Sequence, residues 1–300
     1  MFRKFSSAAL CLLFCLPTMA EEVTTAHQGL TLKANLEMAD GKSLKDGVIL
    51  MTHGTLVHGR MEIMSTLQDN MKTRGYNSLS INLSYGVNNR PFVMHECGLP
   101  QTHTNGDAVD EIASWVDWLK TKGAGKIAVL GHSRGSNQAA WYASEKPDAA
   151  VKAIVLIAPG SWTPEYLKED YHKRFDKELT PLLEKARLQI KAGKGKAMMS
   201  KIDVVYCKDT QSTLETLVSY HGFDPRLDAY GTLDKIRLPV LMVAGSADEI
   251  TPGVAEKTKP HADGKRVQVV NIDGADHFFR DLYAEEAADA ISTFLKGHNF

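Results

Sequence analysis

The sequence predicts an α/β fold: a mostly parallel central sheet with helices on both faces and a helical cap inserted late in the chain. Three observations carry that expectation. Short apolar runs alternate with amphipathic helical patterns from residue 48 onward. One of those runs passes straight into a helical pattern at Gly131-His132-Ser133-Arg134-Gly135. A charged stretch, residues 161–234, then interrupts the alternation between two apolar runs. Alternating strands and helices build βαβ units, whose parallel strands are covered on both faces and read as continuous apolar runs.

The elements follow in order. Residues 29–38 alternate, with Leu30, Leu32, Ala34 and Leu36 on one side, and read as an early antiparallel strand. Asp46-Gly47 marks a turn before the apolar run Val48 to Met51. Met61, Met64, Leu67 and Met71 recur at helical spacing, and Gly75 ends that helix. Residues 76–85 form a strand, and residues 107–122 form an amphipathic helix with Ile112, Trp115, Val116 and Leu119 inward. The strand at 126–130 and the helix at 137–145 flank the Gly-x-Ser-x-Gly turn. Strands at 153–158, 239–244 and 266–272 and a last helix at 284–295 complete the set.

Composition bounds the rest. The chain is 43% hydrophobic and 24% charged, an ordinary globular balance that excludes a disordered chain. Its formal net charge of −1 gives no bulk attraction for nucleic acid or an anionic membrane. Arg3 and Lys4, the apolar stretch Ala8 to Leu16 and the small Ala20 before Glu21 form a signal-peptide pattern over residues 1–20. The apolar stretch is too short to span a bilayer, so export to the periplasm or medium is expected, without stable membrane insertion after cleavage. An uncleaved N-terminal anchor is the competing reading. Residues 21–300 are then expected to form one domain with residues 161–234 as its cap. Cleavage would remove Cys11 and Cys15 and leave Cys97 and Cys207. An oxidising compartment favours a disulfide between them over two free thiols.

The chemistry starts at Ser133. A Gly-x-Ser-x-Gly turn between strand and helix is tight enough to lift its serine above the sheet edge, and Gly131 and Gly135 let the two elements approach. A serine nucleophile needs a base, and the base an orienting acid. In strand–elbow–helix folds these follow in the order Ser, acid, His. Asp248 follows the run Leu241 to Ala244, with Glu249 a weaker substitute, and His277 follows the next strand. Each alone could be an ordinary loop residue, and the combined order is what points to catalysis. Two backbone donors should face the developing oxyanion. Arg134, next after the serine, supplies one; the turn His53-Gly54-Thr55 after the Val48 strand supplies the Thr55 N–H as the other.

These residues, with Ala244-Gly245-Ser246-Ala247-Asp248 and Gly274-Ala275-Asp276-His277-Phe278, make the chain resemble the serine-triad α/β-hydrolases over about residues 45–160 and 235–298. That resemblance implies hydrolysis of a small acyl substrate, a carboxylic ester foremost, with no cofactor and with residues 161–234 where the family places its lid. It leaves a peptidase or amidase open, as well as a binding protein that has kept the fold without turnover. Neither the resemblance nor the composition sets an oligomeric state.

The loop 86–106 departs from the pattern, with Arg90, His95, Glu96, Cys97 and His103. His95, Cys97 and His103 are metal ligands by type, but their spacing matches no zinc pattern, so no metal is expected. A disulfide from Cys97 to Cys207 would instead staple this loop to the cap. The basic run Lys185 to Lys201 reads as a solvated helix face, although it could also attract an anionic substrate.

Overall fold

A computed structural model describes residues 20–145 and 147–300. The signal-peptide pattern lies almost wholly outside the described residues. An eight-stranded sheet has the order β1-β2-β4-β3-β5-β6-β9-β10. Its strands are β1 (Glu21–His27), β2 (Leu30–Glu37), β3 (Val48–Thr52), β4 (Asn77–Asn82), β5 (Ile127–His132), β6 (Val151–Ile157), β9 (Val240–Gly245) and β10 (Val267–Ile272). From β4 to β10 every neighbouring pair is parallel; β2 runs against both β1 and β4.

The continuous apolar runs are explained by burial on both faces. In β3, Val48 and Leu50 face one core, and Ile49 and Met51 face the other. In β5, Val129 and Leu130 divide in the same way. Helices α1 (Glu62–Thr73) and α9 (Leu282–Gly297) cover one face with Leu67, Met71, Ile291 and Leu295. Helices α2 (Asn105–Thr121) and α3 (Arg134–Glu145) cover the other with Ile112, Trp115, Ala139 and Ala140. Helix α2 starts two residues before the sequence-based boundary. Thr104 caps it, its hydroxyl accepting from the Asp107 N–H while the Asp107 carboxylate accepts from the Thr104 N–H.

Strand β1 was not anticipated. It is the edge strand of the sheet, half exposed along its length, so its pattern lacks an apolar face. The insertion between β6 and β9 also differs from expectation. It holds helices α4 (Pro164–Phe175), α5 (Leu179–Lys191), α6 (Leu214–His221) and α7 (Ala229–Thr232), but also an antiparallel hairpin, β7 (Met198–Val204) and β8 (Cys207–Thr213). It is therefore mixed rather than helical. The hairpin is stabilised from outside its own sequence. The Gln101 N–H donates to the Gln211 carbonyl, and the Thr213 N–H donates to the Gln101 carbonyl. Cys97 forms a disulfide with Cys207, and the Thr210 hydroxyl donates to the Cys97 carbonyl at 2.6 Å. The loop 86–106 is thus tied to the insertion. Helix α8 (Val254–Thr258) fills the short crossover from β9 to β10.

Two stability measurements follow. At Gly131, an added Cβ would lie 2.2 Å from the Gly135 carbonyl oxygen, which no side-chain rotation relieves. Gly131→Ala is expected to lower unfolding free energy by about 1–3 kcal/mol, read as a drop in thermal midpoint; an unchanged midpoint would contradict the packing described. The Cys97–Cys207 bridge closes a loop of 110 residues. Chain entropy makes such a closure worth about 5 kcal/mol, so Cys97→Ser should unfold at markedly lower denaturant, by an amount matched when the wild type is reduced.

Candidate active site

The turn after β5 is held from three directions. Ser133 has φ 55°, in the left-handed region that a non-glycine residue adopts only under constraint. Its N–H donates to the Ile157 carbonyl at 2.8 Å. The Ser136 hydroxyl reaches the carbonyls of Gly131 and Ile157 at 2.6 and 2.8 Å. A Cβ at Gly135 would meet the carbonyl oxygens of Thr52 and His53 at 2.4 and 2.6 Å, so α3 can start against β3 only with glycine there. Gly54 is similarly close: a Cβ there would sit 3.2 Å from the Ser133 Cβ and 3.6 Å from its Oγ.

Asp248 and His277 come from the loops after β9 and β10. Parallel pairing of those strands sets both loops at the same sheet edge as Ser133. Asp248 Oδ2 lies 2.8 Å from His277 Nδ1. Both side chains are buried. Burial alone would raise the Asp248 pKa. Hydrogen bonds from His277 and from the Thr251 hydroxyl and N–H outweigh it and hold the carboxyl at about 2. Since an ionised carboxylate only accepts, the His277 proton sits on Nδ1, and a neutral ring leaves Nε2 as an acceptor. Thr251, which the sequence reading did not single out, donates its hydroxyl to Asp248 Oδ2 at 2.6 Å and its N–H to Oδ1 at 2.8 Å. The motif Asp-x-x-Thr, an Asx-type turn, was the available signal. Glu249 is exposed.

His132, between Gly131 and Ser133, also has a structural partner. Its Nε2 lies 2.8 Å from the His277 carbonyl oxygen, and its ring packs on the His277 ring with centroids 4.9 Å apart. Burial brings its pKa down to about 3, so the ring is neutral and Nε2 carries the donated proton.

His53 does more than permit a turn. The Leu83 N–H donates to His53 Nε2, so the neutral ring donates from Nδ1 to the Gly54 carbonyl at 2.9 Å. Burial lowers the pKa of His53 to about 3 and keeps it neutral. The Tyr85 hydroxyl donates to that same carbonyl at 3.1 Å and accepts from the Leu56 N–H. The Gly54 carbonyl and the Thr55 N–H belong to one trans peptide unit, so pinning the carbonyl inward turns the N–H the opposite way. Thr55 lines the cavity that holds Ser133. Arg134 opens α3, where the first N–H groups have no intrahelical partner. Its side chain donates from Nε to the Thr55 hydroxyl at 2.9 Å, joining the two candidate oxyanion residues.

Two cavities meet at Ser133. One is lined by Arg134, Asn137, Trp162, Tyr166 and Tyr220, and so includes the insertion. The other is lined by Val57, Met61, Met94, His277 and Phe278. His95, Cys97 and His103 form no ligand set. Cys97 is in the disulfide, and His103 lies between the Tyr220 hydroxyl and the Gln101 side-chain amide oxygen Oε1 at 2.8 and 3.1 Å. Among the described residues no group of three His, Cys, Asp or Glu could hold a metal ion. Arg90, buried in that loop, donates to the carbonyls of Leu83, Val93 and Val57 and so braces the loop after β3. The lysines at 185, 191, 194 and 196 are exposed, a solvated surface away from both cavities.

A family model described as alpha/beta hydrolase fold matches residues 96–281, more than half of the chain. The chain belongs to the α/β-hydrolase family. Solved α/β-hydrolase structures agree in fold. Est1E from Butyrivibrio proteoclasticus superposes with a TM-score of 0.64 at 18% identity, over 93% of this chain and 98% of that one. The esterase domain of a Rhodothermus marinus protein gives 0.59 at 15% identity, over 93% and 98%. The monoacylglycerol lipase of Paleococcus ferrophilus gives 0.59 at 20% identity, over 89% and 99%. No curated protein sequence matches the chain.

The Asp248 carboxyl gives a pH test. Its folded-state pKa of about 2 lies below the unfolded value of roughly 3.9, so its contribution is complete above that unfolded value and is lost as pH falls toward 2. Between pH 5 and pH 3 the wild type should lose about 1 kcal/mol more unfolding free energy than Asp248→Asn, measured by denaturant titration. Identical slopes would contradict the carboxylate's hydrogen-bonded state.

Proposed function

We propose that this α/β-hydrolase is an exported serine hydrolase that cleaves a small carboxylic ester through a Ser133–His277–Asp248 triad. The observation that carries the reading is the 2.8 Å Asp248–His277 pair opening on the cavity that also holds Ser133 at its left-handed turn. In the proposed reaction Ser133 Oγ attacks the ester carbonyl while His277 Nε2 takes its proton. The imidazolium that forms is stabilised by Asp248, which stays ionised. The Thr55 and Arg134 N–H groups hold the oxyanion, a donor of this kind being worth about 3 kcal/mol in the transition state. His277 then protonates the leaving alcohol, and water, activated by the same histidine, releases the acid.

The rest of the proposal concerns the chain's setting. Residues 21–300 act as one domain and residues 161–234 as a cap, supported by the insertion residues that line the cavity beside Ser133. Export is supported by the Cys97–Cys207 disulfide, since such bridges persist in oxidising compartments. Among the described residues no helix is long and apolar enough to cross a membrane.

The test is turnover of short-chain esters by the purified protein. Ser133→Ala should lower kcat/KM by about 10⁴-fold or more and abolish fluorophosphonate labelling, with circular dichroism unchanged. Turnover that survives the substitution would defeat the assignment.

A further inference from the structure

The Arg134 side chain is in an unusual electrostatic position. Its Nε is engaged by Thr55, and the guanidinium carbon lies 4.7 Å from the Trp162 ring centroid and 4.8 Å from that of Tyr220. Two aromatic rings therefore lie against the guanidinium, but its N–H edge is what needs acceptors. Nη1 is buried and has no hydrogen-bond partner. Among the described residues no carboxylate lies within ion-pair distance of Arg134. Asp170, which lines the same cavity, is paired with Arg174 at 2.8 Å. The Asn137 amide is also satisfied, bound to Gly160 and Leu227. Arg134 is partly buried, and a cation whose buried Nη1 has neither hydrogen-bond partner nor counter-charge is costly, so an acceptor brought by a ligand lowers that cost.

The two cavities give this cation a direction relative to the reaction. The leaving group must lie where His277 can protonate it. His277 lines the apolar cavity together with Val57, Met61, Phe278 and the exposed Met94, none of which lines the other cavity. The alcohol therefore belongs on that side, and the acyl portion extends across Ser133 into the cavity with Arg134.

We propose that Arg134 binds a carboxylate on the acyl portion, so that the preferred substrates are monoesters of short dicarboxylic acids with an apolar alcohol. This rests on the serine-hydrolase reading and specifies its substrate class. A charge-assisted hydrogen bond to a partly buried guanidinium distinguishes such an acyl group from a neutral chain of equal length.

The experiment compares monobenzyl succinate, glutarate and adipate with benzyl butyrate, valerate and hexanoate, following released benzyl alcohol. The wild type should favour the best anionic ester over its neutral counterpart by about tenfold or more in kcat/KM. Arg134→Gln should bring that ratio close to one, any common loss cancelling within it, and Arg134→Lys should restore part of it. Calorimetry should find the matching free dicarboxylate binding to Ser133→Ala and not to the Ser133→Ala/Arg134→Gln double variant. A wild-type ratio of one or less, with turnover still dependent on Ser133, overturns this inference and leaves the serine-hydrolase reading standing. A ratio that survives Arg134→Gln overturns the role of Arg134. Turnover indifferent to Ser133→Ala removes the underlying reading instead. If Arg134→Gln does not fold, the wild-type ratio and the calorimetry on Ser133→Ala decide the matter.

Discussion

The close approach of β3, β5 and the start of α3 is the constraint on which the site depends. Gly131 and Gly135 leave no room for a Cβ, because backbone carbonyls of Gly135, Thr52 and His53 occupy the space one would need. That contact drives Ser133 into the left-handed region and is held by the hydrogen bonds of Ser133 and Ser136 to the end of β6. Backbone strain of this kind persists only where surrounding structure over-determines it. Here three parallel strands do so. The same approach sets the turn His53-Gly54-Thr55 beside the serine, so one packing event positions both the proposed nucleophile and the proposed oxyanion donors.

Buried histidines do much of the remaining alignment, and they do it as neutral groups. Burial brings His53 and His132 to pKa values of about 3, so each keeps one proton with a fixed address. His53 directs its proton at the Gly54 carbonyl, which turns the Thr55 N–H outward. His132 directs its proton at the His277 carbonyl and holds that loop. Asp248 is the opposite case. Its hydrogen bonds to His277 and Thr251 exceed the cost of burial, so it is kept charged. Protonation states that differ between neighbours follow from hydrogen-bond count, since all three side chains are buried.

The insertion and the loop 86–106 form a second layer joined by the Cys97–Cys207 bridge and by Gln101 pairing with β8. This layer supplies the two aromatic rings packed against the Arg134 guanidinium, Trp162 and Tyr220. It thereby makes the two cavities at Ser133 chemically unlike. In the proposed reaction, that asymmetry fixes which end of an ester faces the base and which faces the cation.

The alternation of apolar runs with helical patterns determined the parallel core, because strands buried on both faces must be apolar at every position and period 2 cannot mask them. The Gly-x-Ser-x-Gly turn was legible for a similar reason: its chemistry is local. Strand β1 and the β7–β8 hairpin were not legible. One lies at an exposed edge, and the other is pinned by Gln101 and Cys97 from a loop far away in sequence. The residues proposed for catalysis were named from order along the chain. Their support was not: the partnering of Tyr85 with Gly54 and of His132 with the His277 backbone joins separate segments, and that of Thr251 with Asp248 shows in the sequence only as a common Asp-x-x-Thr turn. The sequence by itself therefore determined the sheet, the elbow and the order of candidate groups, all set by local periodicity. Only the tertiary structure decided which hydrogen bonds orient them and that Arg134 faces its cavity with Nη1 unpartnered while Asp170 there is paired with Arg174, because both depend on what distant segments bring into contact.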